Sequence, residues 1–325
     1  MRTLPFFATP APSLAVEIAP RRVAGIMLAV HGGRPVVGAH ATEALPAGAV
    51  VPALNAANIT DRPAVSRALG RLFSRLGARP GRVALVIPDS VAKVSILRLE
   101  TVPASARDLD QLIRWHVRKA APFRIEDAQV TYARGSAADG GGRDFVVAVA
   151  RRDVVQEYER ACADAGANAG LVDLATFDLI NAVLAGDSPP AGDWLLVNVT
   201  PEYSSIGILR GTDLIFFRNR VEEGDGNLAD LVHQTAMYYE DRLSGRGFER
   251  VVLSGTALAG TGAAAALVAG ADQVRRSLEA RLGVRVETID PRKLATFADR
   301  IEVDAALADT VAPLLGAVMR ERVRA

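Results

Sequence analysis

The stretch DWLLVNVTPEYSSIGILRGTDLIFF, residues 193–217, decides the fold. Three apolar runs, 194–199, 204–209 and 214–217, are parted by Thr200-Pro201-Glu202 and by Gly211-Thr212-Asp213, both rich in turn-forming residues. A helical pattern over 227–243 and the apolar run Arg250-Val251-Val252-Leu253 follow. Residues 13–88 carry the same order. Runs at 14–18, 23–30 and 35–43 are separated by Pro20-Arg21 and by Gly32-Gly33, and a helical segment over 61–77 leads to the run 83–87. Three meandering strands, a helix and one more strand, twice in one chain, predict a duplicated α/β fold.

Periodicity supports each element. Val65, Ala68, Leu69, Leu72, Phe73 and Leu76 recur at three- and four-residue steps and form one helical stripe. Thr60 or Asp61 is the expected N-cap, Pro63 sits in the first turn, and Gly77 closes the helix because glycine reaches the left-handed conformation cheaply. Arg82-Val83-Ala84-Leu85-Val86-Ile87 reads as a buried central strand. An extra module spans 89–152: a strand at 93–99, a helix over 108–119 stopped at Pro122, and a hairpin of 130–132 with 145–150 around the glycine-rich 135–142. A helix over 151–167 and a short strand turning into a helix over 172–185 lead into the second half.

Length and composition fit two cores. The chain has 325 residues, half of them hydrophobic. Lys and Arg number 38 against 37 Asp and Glu, so the overall charge makes no case for nucleic acid. The single cysteine, Cys162, cannot form an intramolecular disulfide and fits a reducing compartment. No apolar run approaches the roughly 18 residues that would span a bilayer, and residues 1–12 read as a flexible lead rather than a secretory signal. A soluble cytoplasmic protein is expected. His31, His40, His116 and His233 lack metal-ligand spacing, and Cys162 has no partner base.

Several local signatures, in order along the chain, carry a resemblance. They are Leu14-Ala15-Val16-Glu17-Ile18; Gln111-Leu112-Ile113-Arg114-Trp115 with Pro122-Phe123-Arg124-Ile125-Glu126-Asp127; residues 195–209 with 216–218; Val251-Val252-Leu253-Ser254-Gly255; residues 278–286 with Asp290-Pro291; and Ala312-Pro313-Leu314-Leu315-Gly316 in a terminal helix. Together they resemble the PilM family of type IV pilus assembly proteins. The resemblance implies an actin-like α/β fold, two ribonuclease-H-like halves with a small inserted α+β subdomain. The expected division is 1–12 lead, 13–88 first half, 89–152 insert, 153–192 helical connection and 193–325 second half.

An actin-like fold implies a Mg–ATP site with an acidic residue and glycines in each phosphate loop, glycine allowing backbone N–H groups to approach phosphate oxygens. The residues at those positions would be Glu17, Arg21, Asn198, Thr200, Gly224 and Gly255. They depart from the pattern. Glu17 keeps a carboxylate, but Ala19 stands at the glycine position, and Pro20, Arg21 and Arg22 replace small residues, Pro20 removing a donor. In the second loop Asn198 stands for an aspartate and Thr200 for a glycine. Arg21 and Arg22 could grip phosphate, or could be an ordinary polar turn. Gly224-Asp225-Gly226 precedes a helix, and residues 257–270 look like a small-residue connection. The departures argue against hydrolysis, and no cofactor is the expectation, with Mg–ATP the alternative.

Binding then leads. The resemblance implies capture of the cytoplasmic N-terminal tail of a PilN-like inner-membrane protein in a groove beside the insert, at the inner face of the membrane and with other assembly-platform components. Trp115, Arg118, Pro122 and Phe123 are the candidate contacts, because aromatic and arginine side chains make good interface anchors. The aromatic residues would equally suit the core of a small subdomain. Two functions stay open: a pseudo-ATPase scaffold, and an active actin-like ATPase or nucleotide switch with divergent loops. A GspL-type secretion protein has the same fold but continues into a membrane helix, which the terminal Met319-Arg320-Glu321-Arg322-Val323-Arg324-Ala325 does not.

Overall fold

The computed structural model describes residues 12–79, 81–137, 141–188, 190–221, 228–257 and 265–323. The first meander is β1 (Leu14–Ala19), β2 (Arg22–His31) and β3 (Arg34–Ala44), followed by α1 (Arg62–Leu76) and β4 (Arg82–Ile87). The second is β9 (Asp193–Val199), β10 (Tyr203–Arg210) and β11 (Asp213–Val221), followed by α5 (Leu228–Leu243) and β12 (Arg250–Ser254). Between them run β5 (Ala92–Leu99), α2 (Ala106–Val117), β6 (Ala128–Ala137), β7 (Arg143–Arg151), α3 (Arg152–Asp164), β8 (Asn168–Leu174) and α4 (Ala175–Gly186). The chain closes with α6 (Ala265–Leu282), β13 (Val286–Glu287), β14 (Thr296–Phe297) and α7 (Ala305–Val323).

The duplication is visible in strand order. One sheet runs β14-β3-β2-β1-β4-β8 and the other β11-β10-β9-β12-β13. In each, three antiparallel strands are followed by a parallel one, β4 beside β1 and β12 beside β9. Strands β5, β7 and β6 form a separate three-stranded sheet.

Local chemistry explains the helix that opens this pattern. The Asp61 carboxylate accepts the Ala64 N–H at 2.9 Å, and Gly77 closes the helix at φ 64°, with the Ala78 N–H reaching the Phe73 carbonyl. The apolar stripe of α1 is buried against the first sheet. Gly25 on β2 makes the approach close: a Cβ there would lie 3.2 Å from side-chain carbons of both Leu72 and Leu76.

Four apolar clusters follow from this layering. The first lies between the first sheet and α1 and α3. The second fills the space between the two large sheets, where α4 and α7 bring Leu179, Val183, Leu314 and Leu315 against Val86 and Trp194. The third packs α5 and α6 on the outer face of the second sheet, and the fourth packs α2 on the small sheet. Some elements differ from expectation: β6 is ten residues long and runs to Ala137, into the loop expected at 135–142, because β7 pairs with it along that length. Strand β8 is seven residues long rather than a residue or two, because it pairs in parallel with the already buried β4. The small-residue tract enters α6 at Ala265, alanine being the best helix former, while residues 258–264 lie outside the described residues.

Candidate functional site

Three loop segments converge where the two large sheets meet, and most of their polar groups are paired within the protein. In the β1–β2 turn, Ala19 pairs with Arg22 across Pro20 and Arg21. Glu17, buried on β1, accepts from Arg22 Nη2 at 2.7 Å, while Arg22 Nε is buried with no hydrogen-bond partner. Arg21 turns the other way. Its Nε donates to Glu202 Oε1 at 2.9 Å, joining the first turn to the equivalent turn of the second sheet.

That second turn, between β9 and β10, is closed on itself. The Thr200 N–H donates to the Tyr203 carbonyl at 2.9 Å. Its hydroxyl donates to the same carbonyl at 2.8 Å and accepts from the N–H groups of Tyr203 at 3.0 Å and Glu202 at 3.3 Å. Pro201 has no N–H to give. Every backbone donor from Thr200 to Tyr203 is therefore used within the turn, a threonine doing locally what a phosphate oxygen would do at a glycine-rich loop.

The third segment follows β12. Gly255 adopts φ 86°, and a Cβ there would lie 2.0 Å from the Val199 carbonyl oxygen, so the glycine serves close backbone packing. From α7, Asp309 accepts the Ala257 N–H at 2.9 Å and the Ser254 hydroxyl at 3.4 Å. Burial raises the Asp309 pKa, while the Gly255 and Ala257 N–H groups, Ser254 and the nearby Arg22 charge oppose the rise.

Behind the loops sits a buried polar knot that sequence reasoning missed. Asp89, in the turn after β4, accepts the Thr176 N–H at 3.0 Å, the Ser205 hydroxyl at 2.6 Å and the Thr176 hydroxyl. Asn198 donates to Thr176 Oγ1 at 2.9 Å, and Asn219 to Ser205 Oγ at 3.0 Å. Desolvation dominates at Asp89 and raises its pKa, its hydroxyl and amide donors only partly opposing this. The sequence signal was slight: a polar Asp89-Ser90 pair ending an apolar strand. Asn198 thus belongs to the interior knot, and Glu202 and Asp309, neither singled out in the sequence, complete the loop contacts.

Of the expected nucleotide residues, Glu17, Arg21, Asn198, Thr200 and Gly255 gather around this junction, and Gly224 lies outside the described residues. The expected partner residues lie elsewhere. Leu109, Ile113 and Val117 of α2 pack with Phe145, Val147 and Val149 on one face of the small sheet, while Ala92, Val94 and Ala150 pack into the first core from the other. Trp115 is 61% exposed on this helix, with its ring edge-on to His116. Arg118 and Pro122 are exposed as well, whereas Phe123 packs against the small core. Among the described residues no group of His, Cys, Asp and Glu side chains is placed to hold a metal ion. No described helix is long and apolar enough to cross a membrane.

Comparison with known proteins agrees with this architecture. The chain superposes on the solved PilM–PilN type IV pilus biogenesis complex with a TM-score of 0.79 and 17% identity, over 96% of this chain and 99% of that one. Weaker likenesses reach ethanolamine utilization protein EutJ from Carboxydothermus hydrogenoformans (TM-score 0.48, 11% identity, 96% and 91% of the two chains) and the cytoplasmic domain of EpsL of Vibrio cholerae (0.45, 11%, 74% and 80%). The fold is actin-like α/β. Residues 15–244 match the family model described as type IV pilus assembly protein PilM, and the chain belongs to that family.

Proposed function

We propose that this protein is a scaffold of a type IV pilus or related secretion assembly platform that works without hydrolysing ATP. The observation that carries this reading is the self-satisfied turn at Thr200, clasped to the opposite turn through Arg21 and Glu202. The residues present do not fit Mg–ATP. A nucleotide would have to displace hydrogen bonds already made at both turns and at Ala257, and Asn198 brings an amide where a magnesium site wants a charge. Arg22 already compensates the Glu17 carboxylate.

On this reading the partner is the cytoplasmic tail of a PilN-like membrane protein, which would hold the scaffold at the inner face of the membrane. Its likeness to the structure of a PilM–PilN complex supports that partner class. Trp115, Arg118, Pro122 and Phe123 are the proposed contacts, Trp115 as the exposed anchor. The test is calorimetric titration with Mg–ATP and, separately, with a synthetic N-terminal peptide of a PilN-like protein. Peptide binding without nucleotide, and no heat at millimolar ATP, is expected. Micromolar ATP binding with turnover would overturn the scaffold and install the ATPase or nucleotide-switch alternative.

A further inference from the structure

A groove of about 560 Å³ opens between the small sheet and the second large sheet. Its walls come from two stretches of the chain: β5 gives Ile96 and Arg98 and β7 gives Asp144, while the end of β10 gives Arg210, β11 gives Ile215 and Phe216, and α5 gives Tyr238 and Arg242. Tyr238 is 47% exposed, and its ring lies 5.4 Å from that of the half-buried Phe216, which packs against the third core.

Two further features say what such a groove would hold. Strands β5 and β11, each the terminal strand of its sheet, approach one another here, so the groove follows two strand edges and suits an extended chain. The rim is cationic. Arg98 meets Asp144 at 3.0 Å and is 65% exposed, and Arg210 meets the buried Asp193 at 2.7 Å and is 51% exposed. Arg242 has no ion pair among the described residues, so the acids answering the three arginines leave one cation over.

We propose that this groove is a docking site for an extended segment of a partner protein in which apolar and acidic residues alternate. Apolar side chains of one face would rest on Ile96, Ile215 and the Phe216–Tyr238 pair, and carboxylates would meet Arg242 and the outer faces of Arg98 and Arg210. The site stands apart from the tail-binding proposal, since none of its residues belongs to the surface around Trp115.

The test is selection from a random dodecapeptide phage library on the full-length protein. The affinity of the strongest selected peptide is then measured by fluorescence anisotropy on the wild type and on Tyr238→Ala, Arg242→Glu and Arg107→Glu. The altered side chains are all exposed, and circular dichroism checks that each variant is folded. Selected peptides should alternate acidic and apolar residues and lose about tenfold or more in affinity with Tyr238→Ala and with Arg242→Glu, but not with Arg107→Glu on α2, which does not line the groove. Basic peptides, no selected peptide, or a loss below about threefold in either groove variant overturns the proposal.

Discussion

Asp178 shows how one buried side chain can set a pH dependence. It lies on α4 with Oδ2 unpaired, and its one hydrogen bond, from Asn181, is 3.5 Å long. Desolvation, with a smaller push from Asp173, raises its pKa well above the ordinary carboxylate value, while Arg320 opposes the rise only in part. A folded-state pKa above the unfolded one contributes stability that is complete below the unfolded value and is lost as pH rises through the folded value. The wild type should therefore lose melting temperature between acid and mildly alkaline pH, and Asp178→Asn should flatten that slope. Thermal melts from pH 5 to 8 check this; parallel slopes for the two proteins would remove Asp178 from the account. Asp89 acts in the same direction, so the variant rather than the wild-type curve isolates Asp178. Gly255 makes a second prediction at this scale. With φ at 86° and the Val199 carbonyl 2.0 Å from a would-be Cβ, Gly255→Ala should cost about 2 kcal/mol or more, read from denaturant midpoints.

Elements were legible in the sequence wherever one short segment contains the whole signal. The α1 stripe and its Gly77 stop are local and the structure places them as read, while of the two N-caps left open, Thr60 and Asp61, it selects Asp61. The length of β8 was not legible, because its burial comes from β4, more than eighty residues upstream. The same limit applies to α4 and α7. Pro313 and Gly316 on α7 look like breakers in isolation, yet the helix runs through both. Gly316 is there for packing: a Cβ would lie 1.7 Å from the Asp178 carbonyl oxygen on α4. Gly316→Ala should push the two helices apart and cost about 3 kcal/mol, seen as a lowered melting temperature. A variant as stable as the wild type would show that the helices separate at no expense.

For the whole molecule, closure depends on few direct links between the turns. Arg21 is 73% exposed, so its pair with Glu202 is screened by solvent, and Glu202→Ala should change stability by less than about 1 kcal/mol. Its effect should appear in motion instead, as faster amide exchange in the β1–β2 and β9–β10 turns measured by mass spectrometry. Unchanged exchange in both turns would show the clasp to be idle. The larger connection is apolar, through α4 and α7 between the sheets, and the C-terminal part of the chain reaches back to the first half, where β14 pairs with β3.

By itself, the sequence determined the duplicated strand order, the caps and stripe of α1, the family resemblance and the departures of the phosphate-loop residues, all of which depend on neighbours a few positions apart. Only the tertiary structure decided what those departures do. Arg21 meets Glu202 across 181 positions, and Asp309 meets the loop after β12 from 52 positions away. It also decided that Trp115 is exposed while Phe123 packs on the small core, which periodicity on α2 left open. Hydrophobic spacing reports which face of an element is buried, but which polar groups meet at a junction is fixed only when the sheets close on each other.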